Sequence, residues 1–165
     1  MKSDLYYMEY RLVKMTGDNT YNFQYINEIN RLYKRFGDAE ITYNPEVMSY
    51  LLIHRETDQV ICTCCLVDAT FYLNILRDDY SFTDMLRLKI KNVVYNLVRD
   101  EADCWRGVGA IILDMIQQRE AISLYLSIDT VKLLKYYQSI GFGDTHFCDK
   151  DGKDYCPVLY RQFRS

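Results

Sequence analysis

Cys104-Trp105-Arg106-Gly107-Val108-Gly109-Ala110-Ile111-Ile112-Leu113 is the stretch around which the rest of the chain is read. Two glycines one residue apart stand where a strand-like pattern gives way to a helical one. A backbone without side chains at such a junction can approach an anion closely. The first N–H groups of the following helix have no partner inside the helix, so they point outward as donors. Phosphate is the usual guest of such a turn. Taken alone, G-x-G is a short signal, because glycines at a strand-to-helix turn also serve simply to relieve φ strain.

Downstream of the glycines, Val108, Ile111, Ile112, Met115 and Ile116 recur at intervals of three and four, which predicts a helix from Gly107 onward. In residues 121–128 the period changes to two, with Ile122, Leu124, Leu126 and Ile128 on one side, which predicts a strand. Thr130 stands at the cap position of a second helix carrying Leu133, Leu134, Tyr137 and Ile140 and stopped by Gly141. A last hairpin is expected from residues 143–148 and 155–163, around Lys150-Asp151-Gly152-Lys153. A two-residue loop at Asp151-Gly152 sets Cys148 opposite Tyr155 and Cys156 opposite Phe147, which speaks against a cross-strand disulfide.

Upstream, residues 5–15 are dense in tyrosine and aliphatics and read as a first strand, broken by Gly17-Asp18-Asn19-Thr20. Tyr25, Ile26, Ile29, Leu32, Tyr33 and Phe36 have helical spacing, and Gly37 ends the run. Residues 38–45 read as a loop. A hairpin follows, with strands at 47–55 and from 60 to about 71, the second continuing through Leu73. Residues 74–84 read as a loop or short helix. Leu86, Leu88 and Ile90 alternate with Arg87, Lys89 and Lys91, and the apolar pattern resumes in 93–98, giving a strand bulged near Asn92. Asp100-Glu101-Ala102-Asp103 spells a helicase signature, but no G-x-x-x-x-G-K-[ST] loop accompanies it, so the match is chance. The order is strand, helix, three strands, helix, strand, helix, two strands. That is an α/β (α+β) chain in one domain, 1–165, with a mixed, mostly antiparallel sheet of about seven strands flanked by helices.

Composition narrows the function. The chain has 165 residues, 49% hydrophobic and 26% charged, which suits one ordinary globular core. A net charge of −3 speaks against a nucleic-acid binder that works by phosphate neutralisation. No apolar run reaches the roughly 18 residues of a membrane span, and Met1-Lys2-Ser3-Asp4 lacks the apolar core of a signal peptide. The expected setting is cytoplasmic, where six cysteines are free thiols. Cys62-Thr63-Cys64-Cys65 has no second C-x-x-C, and His54 and His146 are not at ligand spacing. A strand would split these thiols between its faces, so they read as small buried hydrophobes and no metal is expected.

With these elements placed, the chain resembles the GCN5-related N-acetyltransferase superfamily. That family's phosphate loop reads Q/R-x-x-G-x-G/A between its fourth strand and the next helix. Cys104-Trp105-Arg106-Gly107-Val108-Gly109 matches both glycines and departs at the first position. A second family signature, a helix carrying Tyr and ending in Gly-Phe, is matched by Tyr136-Tyr137-Gln138-Ser139-Ile140-Gly141-Phe142. Where the family usually starts that helix with Asn, this chain has Thr130. The resemblance extends through the element order over nearly the whole length.

The resemblance implies acetyl-CoA as co-substrate, its pyrophosphate on the backbone from Arg106 to Ala110, through Gly107, Val108 and Gly109. Cys104 replaces a longer polar residue and spares the backbone cradle. It implies a primary amine as acceptor, on a small molecule or a lysine side chain, attacking the thioester directly in a ternary complex. Asp103 stands where the histone acetyltransferase branch places a carboxylate base, one methylene shorter than glutamate. Tyr137 stands where the family places the acid that protonates the departing thiolate. His54 and Asp129 are weaker candidates for the base. A homodimer is compatible with this reading, nucleic acid and membrane are not expected partners, and a non-catalytic protein that binds CoA or a protein partner is the alternative.

Overall fold

In the computed structural model of the chain, Tyr50, Leu51, Leu52 and Ile53 are each 0–1% exposed. A strand buried on both faces reads as a continuous apolar run rather than an alternating one. It therefore calls for a layer on either side. The residues described are 2–15, 23–34, 48–68, 91–128, 130–148 and 157–164. They form α1 (Lys2–Glu9), β1 (Tyr10–Lys14), α2 (Phe23–Tyr33), β2 (Met48–His54), β3 (Gln59–Val67) and β4 (Val93–Arg99). A 3-10 turn (Asp103–Trp105) then leads into α3 (Val108–Glu120), β5 (Leu124–Ser127), α4 (Val131–Ser139), β6 (Gly143–Cys148) and β7 (Pro157–Arg161). The strands make one seven-stranded sheet in the order β1-β2-β3-β4-β5-β7-β6. β1 with β2, β5 with β7 and β6 with β7 pair antiparallel, and β4 with β5 is parallel. The mixed, mostly antiparallel seven-stranded sheet flanked by helices is the expected one.

The chain divides into two compact units, Met1–Cys65 with Asn96–Glu120 and Leu66–Tyr95 with Ala121–Ser165. In the first, Ile29 and Leu32 of α2 pack with Met15, Leu51, Ile53, Val60 and Val98. The other side of β2 meets α3, where the Tyr50 hydroxyl donates to Glu120 Oε1 at 3.0 Å. Val108, Ile112, Leu113, Met115 and Ile116 are the apolar buried positions of α3. Cys62, Cys64 and Cys65 are buried thiols within β3, in keeping with their reading as small hydrophobes. Burial pushes the Cys64 thiol up, and the neighbouring thiols add to that.

In the second unit, Tyr125 of β5 stands opposite Tyr160 of β7, with ring centroids 4.7 Å apart. The Phe163 N–H donates to Ser123 Oγ at 2.9 Å, holding the end of the chain to the start of β5.

Four sequence expectations change. The first strand begins at Tyr10, and residues 2–9 are helical. Leu5 and Met8 are exposed while Tyr10 and Leu12 are buried, so the burial period of two starts only at Tyr10. The expected irregularity near Asn92 is a left-handed residue, with φ 56°, a conformation that asparagine tolerates. The loop before α3 contains a 3-10 turn that no periodicity announced.

The final hairpin changes register. Gly143 pairs with Tyr160 and Asp144 with Leu159, but Cys148 stands opposite Pro157 rather than Tyr155. The slip falls within β6, where His146 takes φ 60° and its N–H donates to Asp144 Oδ1 at 2.6 Å. Extra residues on one strand displace every later pair. The turn at 150–153, Cys156, the expected strand at 86–90 and the segment 74–84 lie outside the described residues.

Candidate functional site

The route from β4 into α3 is built one hydrogen bond at a time. The Asp100 N–H donates to Ile61 O at 2.7 Å. Its Oδ1 accepts the Ala102 N–H at 3.0 Å, which turns the chain. Arg99 Nη1 donates to the carbonyls of Asp100 at 2.7 Å and Ala102 at 3.4 Å. The 3-10 turn closes with Trp105 N–H to Ala102 O at 3.0 Å and Arg106 N–H to Asp103 O at 3.2 Å. Arg106 is extended, Gly107 has φ 87°, and α3 starts at Val108. Gly107 O accepts from Ala110 at 3.2 Å and from Ile111 at 3.4 Å.

Three consecutive amides, those of Gly107, Val108 and Gly109, therefore have no acceptor among the described residues. They stand where the helix dipole adds its positive end. A Cβ at Gly107 would meet nothing within 4 Å, so the side of Gly107 where a side chain would stand is open. Val108 and Gly109 are buried in α3. The donor set is narrower than the expected Arg106-to-Ala110 run, because the Arg106 and Ala110 N–H groups are used internally.

Asp103 and Arg106 are brought together, with Oδ1 3.2 Å from Nη2, on side chains 86% and 75% exposed. Cys104 is an exposed free thiol on the same turn. Trp105 packs edge-on against His54, with ring centroids 4.9 Å apart. His54 is itself held, with Nδ1 2.9 Å from Thr57 Oγ1 and Nε2 3.9 Å from Glu9 Oε1. Next to it, burial and the Glu9 charge push the Tyr10 hydroxyl up to about 12. The histidine that the sequence offered as a weaker candidate for the base thus packs against the turn through Trp105.

Tyr137 belongs to the other unit and sits in the last turn of α4. The Phe142 N–H donates to Tyr137 O at 3.0 Å and the Gly141 N–H to Gln138 O at 3.1 Å. With Gly141 at φ 101°, this is a Schellman cap, and Tyr137 supplies its hydrophobic contact with Phe142 at a centroid distance of 5.6 Å. Arg161 lies over the other partner, 5.8 Å from the Phe142 ring. Thr130 occupies the N-cap position of α4, but its side chain makes no capping bond. Asp129 lies outside the described residues. Among the described residues, no group of three His, Cys, Asp or Glu stands together as a metal site, and no helix is long and apolar enough to cross a membrane.

The residues that sequence reasoning missed are Asp100, Arg99, Arg31 and Gln59, which fix the start of the loop. Only Asp100 had a local signal, an aspartate two residues before the amide it caps.

Neither a protein-family profile nor a curated protein sequence matches the chain. Solved structures do. An aminoglycoside 6'-acetyltransferase type Ii superposes with a TM-score of 0.59 at 12% identity, over 94% of this chain and 98% of that one. YhhK from E. coli, solved in solution bound to coenzyme A, gives 0.57 at 8% identity, over 94% and 99%. GCN5 from Tetrahymena gives 0.56 at 15% identity, over 93% and 96%. At these identities the likeness is one of fold: the chain has the fold of the GCN5-related N-acetyltransferases.

Proposed function

We propose that this chain is an acyl-CoA-dependent N-acyltransferase that passes an acetyl group from acetyl-CoA to a primary amine, by direct attack in a ternary complex. The observation that carries the reading is the row of unfilled amides at Gly107, Val108 and Gly109, on a fold whose solved examples include a coenzyme A complex. The fit to a pyrophosphate is electrostatic and steric at once. Three donors stand in succession at a helix N-terminus, and at the glycine that leads into them even a Cβ would meet nothing within 4 Å. Arg106 adds an exposed positive charge at the rim.

The chemistry asks for two proton movements. An amine of pKa near 10.4 must be made neutral, at a cost on the order of 4.6 kcal/mol at pH 7. Asp103, by its place in the resemblance, is the residue we assign to that task, through a water; its carboxylate is open to solvent, with Arg106 Nη2 3.2 Å away. As the C–N bond forms and the C–S bond breaks, the thiolate takes a proton, a mismatch of roughly 2 kcal/mol at pH 7. We assign that proton to the Tyr137 hydroxyl. The acceptor is an amine on a small molecule or on a lysine side chain, and the reading goes with a cytoplasmic setting, where acyl-CoA is at hand. No metal takes part in this scheme.

A second reading draws on the exposure of Asp103: a base so open to solvent is dispensable in a protein that binds CoA without turnover. Calorimetry with CoA, together with an assay of CoA release from acetyl-CoA over pooled amines, separates the two. Binding with release supports the enzyme, and binding without release supports the second reading. A folded Gly109→Val variant that binds CoA like the parent overturns the cradle. Tyr137→Phe is expected to lower the transfer rate by about tenfold or more while the melting temperature holds. An unaltered rate leaves Tyr137 with its capping role only.

A further inference from the structure

We propose that Asp100 is the positioning residue of the anion-binding loop, tying it to α2 through Arg31. The proposal rests on the reading of Gly107 to Gly109 as the CoA cradle. Asp100 itself had no role in the sequence reading, and in the structure it is the most heavily bonded residue of the loop. Its Oδ2 accepts from Arg31 Nη1 at 2.7 Å and from Gln59 Nε2 at 3.3 Å. Its Oδ1 accepts the Ala102 N–H at 3.0 Å. Its own N–H and carbonyl engage Ile61 O and Arg99 Nη1, both at 2.7 Å. One side chain thus joins α2, the first residue of β3 and the turn that leads to the cradle.

Arg31 is fixed in turn. Its Nε and Nη2 donate to Glu28 Oε2 at 3.3 and 3.1 Å, and Nη2 donates to Val60 O at 2.9 Å. The guanidinium fork is therefore set before it meets Asp100. The loop holds a second ion pair for comparison, Asp103–Arg106, whose side chains are mostly in water. Solvent screens a pair of that kind to little effect. The Asp100 side chain is only 13% exposed, so its charge-assisted bonds act with less screening.

The consequence runs down the chain. Ala102 N–H is placed by Asp100, Ala102 O then accepts from Trp105, and Asp103 O accepts from Arg106. Each bond spans two or three residues, so the aim of the amides from Gly107 onward is inherited from Asp100. Without the tether the loop samples other arrangements, and an incoming anion must order it. That lowers affinity for ground state and transition state alike. The signature is a raised KM with kcat held.

The test uses the full chain, with CoA as the ligand and Asp100→Ala, Arg31→Gln, Arg31→Lys and the double variant Asp100→Ala with Arg31→Gln. Asp100→Ala and Arg31→Gln are each expected to weaken CoA binding by about tenfold, with kcat within about twofold of the parent. Arg31→Lys, which keeps a charge on Asp100, recovers part of the loss. The double variant is no weaker than the worse single one. Independently of CoA, hydrogen exchange at the Ala102, Trp105 and Arg106 amides quickens in Asp100→Ala while β2 and β3 stay protected. Parental loop exchange in a folded Asp100→Ala, or additive losses in the double variant, overturns the proposal. If Asp100→Ala does not fold, the Arg31 pair decides by the same readouts. Should the parent itself bind no CoA, the functional reading falls, and the exchange measurement alone decides whether Asp100 holds the loop.

Discussion

At its N-terminal end α3 leaves the amides of Gly107, Val108 and Gly109 without acceptors, whereas at its C-terminal end every polar group named has been given a partner. There Glu120 accepts from the Tyr50 hydroxyl at 3.0 Å and pairs with Lys14 at 3.5 Å, and Arg119 Nη1 donates to Leu12 O at 2.8 Å. A carboxylate at the negative end of a helix dipole is electrostatically misplaced. Glu120 is tolerated because Lys14 and a buried phenol answer it. The N-terminal end is the favourable place for an anion, and the chain supplies none: Arg106 and Gly107 precede Val108, and neither has a side-chain acceptor to cap it. One end is sealed for stability, and the other keeps the donors that the proposed reading gives to an acceptor from outside.

The largest expected effect comes from breaking the N-terminal end. Gly107→Val forces a β-branched residue to φ 87°, where the strain of about 1–3 kcal/mol translates into a ten- to hundredfold loss of CoA affinity. Because nothing crowds a Cβ there, the loss is one of backbone conformation, and calorimetry measures it. A folded variant with parental affinity erases the distinction between the ends. Glu120→Ala attacks the other end. It strips the buried Tyr50 hydroxyl of its acceptor, and about 1–3 kcal/mol of stability should go in urea titrations. CoA affinity should stay put, and a parallel fall in affinity would show that the ends are not separate.

Alkaline pH sharpens the sealed end further. Burial first, and then the Glu120 charge, raises the Tyr50 hydroxyl above its ordinary value, and Tyr10 is raised to about 12. Both phenols are held neutral in the folded chain, so their contribution is complete below pH 10. It declines as pH climbs from about 10 toward 12, by up to about 1.4 kcal/mol per pH unit for each tyrosine. Tyr50→Phe should flatten that decline in thermal melts, and an unchanged slope would remove Tyr50 from the account. The smallest shift in stability belongs to Asp103→Asn at the exposed rim, under about 0.5 kcal/mol. Its rate is the informative quantity. If Asp103 is the base, the deficit is greatest near neutrality and shrinks toward about pH 10, and a profile parallel to the parent's ends that role.

Local chemistry was legible in the sequence and long-range pairing was not. Gly107 and Gly109, read against the three-and-four spacing of Val108 to Ile116, placed the helix start to within a residue, because both signals are properties of adjacent residues. The hairpin of β2 and β3 was likewise legible, although the second strand, expected through Leu73, is described only over Gln59–Val67. Leu5 to Glu9 misled because tyrosine and aliphatic content suits a strand, while the burial period that defines one begins only at Tyr10. The slip in β6 depends on the backbone at His146, which no apolar pattern encodes. Arg31 and Asp100 stand 69 positions apart, and their meeting is a product of the sheet that separates them in sequence.

The cap at the end of α4 has a consequence for reading other chains. Tyr137, Gly141 and Phe142 keep their spacing because a helix that ends this way needs a ring at one fixed position, a left-handed residue four further on and an apolar partner next to it. The hydroxyl of Tyr137 is not required by that geometry. A lineage that exchanged it for a hydrogen would keep the ring and the cap and, on the proposed reading, lose the proton assigned to Tyr137. Such a chain would be a disarmed twin, invisible to any comparison of shape and exposed by a single oxygen atom.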